Sequence, residues 1–289
     1  IEVNDYAYFG QSVAISDNTA IVGSYQADGS PFIFNCGAAF VYTRSGSTWS
    51  PQQMLTASDR ARYDNFGYSV AIAGDTAAIG AYSADAPTTD CGAAYIFTRS
   101  GSAWTQKAKL TAADGAAFDR FGNSIAIAGD TVAVGAYRDD TPTTNAGSAY
   151  IFTRSGSAWS QTAKLKAADA ATFNELGHSI ATNQGHVIAG APGKIHSGGS
   201  GAAYAFDLTP RVTYFAINAN ATHTVTRPVT LNNTCTNAPT HYMASESPSL
   251  LGASWQPYST KPLFTLSAGE ENKRVYFQAK NANGPSDIV

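Results

Sequence analysis

The feature that most restricts what this chain can become is an internal repeat. Phe9-Gly10-Gln11-Ser12-Val13-Ala14-Ile15 returns as Phe66-Gly67-Tyr68-Ser69-Val70-Ala71-Ile72 and as Phe121-Gly122-Asn123-Ser124-Ile125-Ala126-Ile127. A weaker copy, Leu176-Gly177-His178-Ser179-Ile180-Ala181-Thr182, follows, the intervals being 57, 55 and 55 residues. Self-similarity at such a period means one supersecondary unit stacked on its neighbours, since a single copy cannot bury its apolar face alone. Within each copy apolar and small polar residues alternate with period two between turn signals, which specifies strands.

In the second copy the pattern predicts strand A at 66–73, a Gly74-Asp75 hairpin, strand B at 75–82, a longer loop, strand C at 92–98 and strand D at 103–111. The A–B turn recurs as Ser16-Asp17-Asn18-Thr19 and Ala128-Gly129-Asp130-Thr131, residue types that tolerate the positive φ of a tight hairpin. Arg-Ser-Gly-Ser marks the C–D turn at 44–47, 99–102 and 154–157, and Trp49, Trp104 and Trp159 follow, expected to pack over the edge of each blade. Four strands per 55-residue unit suit a radial β-propeller, in which small inner residues such as Ser69, Ala71, Ser124 and Ala126 fit a crowded axis. The fourth copy has A, B and C strands at 176–183, 186–190 and 202–207 and no D strand. Either Ile1-Glu2-Val3-Asn4-Asp5 supplies that strand as a clasp, or another chain completes the propeller.

Composition narrows the function classes. With 44% hydrophobic residues the chain can build cores without metals or cross-links, and the 18 Lys and Arg are scattered at a net charge of −3, which argues against nucleic-acid binding. No run of about 18 apolar residues exists, so neither membrane insertion nor an intact signal peptide is expected. Cys36, Cys91 and Cys235 are too few for a framework, and Cys36 and Cys91 occupy equivalent places in neighbouring copies, which would normally hold them beyond the roughly 7 Å that a bridge allows. A bridge between those two, an intermolecular bond and free thiols are the readings that stay open.

The Phe-Gly-x-Ser-Val-Ala units, ending in Gly-Ala-Tyr or Gly-Ala-Pro, resemble FG-GAP repeats, the blades of integrin-α-type propellers and of many secreted bacterial proteins. The resemblance covers residues 1–208 and implies an extracellular or cell-surface β-propeller of about four blades. Familiar members carry a calcium loop between strands A and B. Here those connections are short hairpins, so no metal and no cofactor is expected. Residues 211–289 change character. Segments 211–217, 224–226, 262–266 and 273–280, with turns at Asn232-Asn233, Ala268-Gly269 and Asn283-Gly284, read as a small β-sandwich that looks immunoglobulin-like or fibronectin-III-like. The fold class is therefore all-β throughout.

No HExxH spacing, nucleophile elbow or phosphate loop appears, so a non-enzymatic chain is expected. Glu2, Asp59, Asp114 and Asp169 recur seven residues before each strand A, either as an acidic ring or, more plainly, as caps of the D–A turn. The B–C loops differ most among copies and share one face with the D–A loops, which makes Asp28, Phe32, Phe34, Asp85, Asp139 and Asp140 the candidate binding residues. The reading is an extracellular recognition, adhesion or scaffold protein that binds protein or glycan there. The runner-up is a self-associating subunit of a filament or sheath joined by strand sharing. A non-catalytic part of a larger secreted enzyme is the third.

Overall fold

The computed structural model describes residues 7–29, 34–183, 185–194, 201–221, 224, 226–269 and 273–289. The chain divides into two compact units, Ile1–Phe206 and Asp207–Val289.

The first unit is a series of antiparallel meanders. β1 (Phe9–Ser16), β2 (Thr19–Ser24), β3 (Ala38–Ser45) and β4 (Thr48–Leu55) pair in sequence order. So do β5 (Phe66–Ala73), β6 (Thr76–Ala81), β7 (Ala93–Ser100) and β8 (Ala103–Leu110), then β9 (Phe121–Ala128), β10 (Thr131–Ala136), β11 (Ser148–Ser155) and β12 (Ala158–Leu165). The A–B hairpins close on two residues each, and Asp17, Gly74 and Gly129 take the positive φ that those turns demand. Among the described residues the fourth sheet holds three strands, β13 (Ser179–Thr182), β14 (His186–Ala191) and β15 (Ala202–Asp207). Strand A of that copy begins at Ser179 and not at 176, although Leu176 bridges to Gly147 of the preceding blade just as Phe66 and Phe121 bridge to Gly37 and Gly92.

Sheets stack through their first strands, β1 on β5, β5 on β9 and β9 on β13. Three apolar clusters fill the seams, with Ile21, Val41, Phe66, Ile79 and Tyr95 in one, Ile96, Phe121, Val134 and Tyr150 in the next, and Ala149, Leu176 and Ala189 in the last. The Arg of each Arg-Ser-Gly-Ser turn explains the motif. Arg99 pairs with Asp75 of its own A–B hairpin, reaches Thr19 of the preceding blade at 2.7 Å and lies 5.5 Å from the Trp104 ring; Arg154 repeats this with Asp130, Thr76 and Trp159. Trp104 is buried and Trp159 half-buried, but Trp49, expected to pack likewise, is exposed because no blade precedes it among the described residues. Nor does any comparable packing join β13 to β1 there, so the described blades do not close into a ring. The clasp at residues 1–5 lies outside the described residues.

The second unit has one sheet of β16 (Val212–Ile217), β17 (Pro228–Cys235) and β20 (Leu263–Thr265). Its other sheet runs β19 (Gln256–Pro257), β18 (His241–Ser245), β21 (Tyr276–Asn281), β22 (Gly284–Pro285). Val229 and Leu231 of one sheet share a core with Phe277 and Ala279 of the other, and Phe277 stacks on both Phe215 and Tyr242. Asn232-Asn233, read from sequence as a turn, lies inside β17. Asn233 is buried there because its amide donates to the Leu231 and Ser259 carbonyls and its Oδ1 accepts from Tyr258 Oη. Ser286–Val289 continue alongside β21, Val289 exchanging both backbone bonds with Phe277.

Candidate functional site: the aromatic loop face

The B–C and D–A loops lie on one face because strand A starts where strand B ends. Asp28, Asp85 and Asp140 sit at one repeat position, exposed, and each spans its own B–C loop by accepting from a backbone N–H at 2.8 Å, that of Asn35, Asp90 and Asn145 respectively. The three donor residues, Asn35, Asp90 and Asn145, all adopt positive φ, so the carboxylate closes an otherwise strained turn. Asp139 is placed differently. Its side chain is 2% exposed and takes hydrogen bonds from Tyr150 Oη at 2.6 Å and Thr141 N at 2.7 Å, with Lys164 Nζ against it. Burial works against its charge, but those donors hold its carboxyl below the usual range, and burial with the nearby carboxylates pushes Tyr150 up. Asp139 therefore faces the blade interior, at the position of Ala27 and Ala84 in the other copies. Phe32 lies outside the described residues. Phe34 is 45% exposed with the Arg62 guanidinium 5.0 Å from its ring.

The recurring D–A carboxylates pair with lysines: Asp59 with Lys109, Asp114 with Lys164, Asp169 with Lys194. Each carboxylate is thus engaged by a lysine of the blade that follows it; Glu2 lies outside the described residues. Among the described residues no cluster of His, Cys, Asp or Glu is arranged to hold a metal ion. Cys36 and Cys91 are buried free thiols, which burial pushes up in pKa.

Aromatic side chains give the face its character. Tyr63, Phe118 and Phe173 stand at one repeat position in the D–A loops, each with positive φ and each more than half exposed. Towards the inner strands the rings of Tyr8, Tyr25, Tyr68 and Tyr82 follow one another at centroid distances of 5.1, 5.2 and 4.3 Å. Arg120 lies over Tyr82, fixed by Asp90 and Ser83, and Arg138 lies over Tyr137, whose ring meets His178 at 5.5 Å. Burial and the neighbouring phenols raise the pKa of Tyr25 and Tyr68. The signal for Tyr63, Phe118 and Phe173 is present in the sequence as an aromatic residue three positions before every Phe-Gly or Leu-Gly, a regularity that loop variability does not reveal.

A model of the FG-GAP repeat matches four segments, residues 2–42, 49–97, 104–152 and 159–206, well over half of the chain. The chain belongs to the FG-GAP repeat family. Each matched FG-GAP unit from the second onward begins in the outer strand of one blade and ends within the third strand of the next, so the repeat crosses the seam that the blade packing seals. No curated protein matches the chain. Among solved structures, Sqt1 of Saccharomyces cerevisiae aligns over 99% of this chain and 96% of its own at 8% identity and a TM-score of 0.38, too low to carry an argument. Among the described residues no helix is long and apolar enough to cross a membrane.

Proposed function

We propose that this FG-GAP chain is a non-catalytic extracellular recognition module that holds a protein or glycan on its aromatic loop face. One observation carries the reading: Tyr63, Phe118 and Phe173 are presented to solvent at the same repeat position in three successive D–A loops, and Tyr63 shares the Arg62 guanidinium with Phe34. Rings left in water forgo roughly 25 cal/mol per Å² of burial, and regularly spaced exposed aromatics with few rotatable bonds are the usual anchors of a recognition surface. Flanking Arg62 and Arg138 add cationic, hydrogen-bonding edges to that surface.

Secretion, in the manner of the bacterial branch that its Gly-Asp-Thr turns and Arg-Ser-Gly-Ser hairpins resemble, belongs to the same reading. The second unit, with three strands packed against four, is read as a fibronectin-III-like spacer.

Glycan arrays and immobilised matrix proteins provide the test. Replacing Phe34 and Tyr63 by Ser, and separately Phe118 and Phe173 by Ser, is expected to weaken binding at least about ten-fold each without shifting the unfolding midpoint. Unchanged affinity in both double variants would remove this face as the site.

A further inference from the structure

Consecutive blades are joined by one recurring lock. The strand-A serine donates its hydroxyl to the carbonyl of the Phe-Gly glycine in the next blade: Ser12 to Gly67 at 2.8 Å, Ser69 to Gly122 at 2.8 Å, Ser124 to Gly177 at 2.7 Å. That carbonyl occupies the space a side chain would need on strand B, where a Cβ at Gly23, Gly80 or Gly135 would stand 2.0, 2.0 or 1.9 Å from it. A third glycine, just before strand C, bridges in parallel to the incoming residue, Gly37 to Phe66, Gly92 to Phe121 and Gly147 to Leu176.

The fourth blade carries the complete receiving half of this lock. Its equivalents Ser179, Gly190 and Gly201, with His178, Pro192 and Ala202, line an open pocket of about 500 Å³. Beside it Ile188 is 53% exposed and Ala203 and Ala205 are exposed, whereas the corresponding Ile21, Ala39 and Val41 of the first blade are fully buried under β5. The first blade carries the inserting half. Gly10 has open space around it, and Val13 is 69% and Ile15 66% exposed, against 8% and 9% for Val70 and Ile72, which do the same job one blade on. None of the residues named on either face is an Asp, Glu, Lys or Arg, so apposition brings no pair of like-charged carboxylates or of lysine and arginine side chains together.

We propose that a second copy of this chain docks head to tail, the Phe9-Gly10 edge of one copy seated in the Ser179, Gly190 and Gly201 pocket of the other. The Ser179 hydroxyl then donates to the Gly10 carbonyl of the second copy, and Val13 and Ile15 cover Ile188, Ala203 and Ala205. The contact continues a seam that this chain already builds three times within itself. It joins two different faces, so it is heterologous: copies add until a ring closes or a filament grows.

Sedimentation velocity of the full chain over a wide concentration range tests this. The wild type is expected to associate with rising concentration. Val13→Asp on one face and Ile188→Asp on the other are each expected to weaken association at least about ten-fold, with Ala203→Arg as a second variant of the pocket face. All of these positions are exposed, and unchanged circular dichroism confirms that each variant folds. The decisive arm mixes Val13→Asp with Ile188→Asp. One intact face from each variant must restore a dimer that neither forms alone and that cannot grow further. A monomeric wild type at the highest concentration reached overturns the proposal, as does association that survives both variants or a mixture that stays monomeric. A monomer in which Phe9 is shielded from solvent would assign the seam to closure within one chain.

Discussion

Asp64 and Asp119 hold the same position in successive blades and illustrate how a local role sets a global pH response. Each is buried and accepts from the backbone N–H three residues earlier, Ala61 at 2.6 Å and Ala116 at 2.7 Å, yet burial outweighs those bonds and pushes both carboxyls up to about 6. The folded state therefore holds protons that the unfolded state has released, and the sign is unusual for carboxylates: stability falls as pH rises from about 4 to 6, and the full penalty stands above 6. Asp59, Asp114 and Asp139 act oppositely, since lysine and tyrosine donors hold them below the usual range despite burial, and their contribution is lost only in stronger acid. The unfolding midpoint is thus expected to be highest on the acid side of neutrality. Asn174 already stands at the equivalent position in the fourth blade. Accordingly Asp64→Asn should raise stability by about 1 kcal/mol at pH 8 and give no gain at pH 4, measured by urea unfolding at both values. An equal effect at the two pH values would show that the carboxyl's ionisation is not what burial penalises.

At the scale of the element, the strand-B glycines matter more than their exchangeability in a strand would suggest. Gly80 has no positive φ, so its requirement is purely one of space: the Gly122 carbonyl of the next blade fills the site of its Cβ. Gly80→Ala must push two sheets apart and is expected to cost about 3 kcal/mol. Gly190→Ala meets only the side chain and backbone of Ser179, whose hydroxyl is nearest and can turn away, so its cost in the monomer should stay below about 1 kcal/mol. Equal losses at the two positions, read from chemical denaturation at low concentration, would contradict the account of the seam. The same contrast separates β1 from β5. Their sequences are nearly the same, yet β1 is largely exposed and β5 largely buried, since a strand's burial depends on the sheet laid over it.

For the molecule as a whole, two cores divide the chain, one distributed along the blade seams and one inside the 207–289 sandwich. Calorimetry is expected to resolve two unfolding transitions, with Asp64→Asn moving only the one that belongs to the blades. A single transition shifted as a unit would mean the two cores unfold together. The sequence by itself determined the repeat period, the A–B and C–D hairpins, the three strands that the fourth copy shows among the described residues and the change of architecture after it. These follow from local rules: period-two alternation and turn chemistry are written residue by residue. It also placed Asp28, Asp85 and Asp140 at equivalent sites, but not their task of closing their own loops, and it drew Asp139 onto the surface when that side chain turns inward to Lys164 and Tyr150. Asn232-Asn233 read as a turn for the same reason, since a buried amide that finds three partners is invisible until those partners are in place. Only the tertiary structure decided which copies of an almost identical strand are covered, which glycines are obligatory, and that the first and last blades carry the two halves of one lock. Burial is a property of pairs of surfaces, and no single stretch of sequence contains both members of the pair.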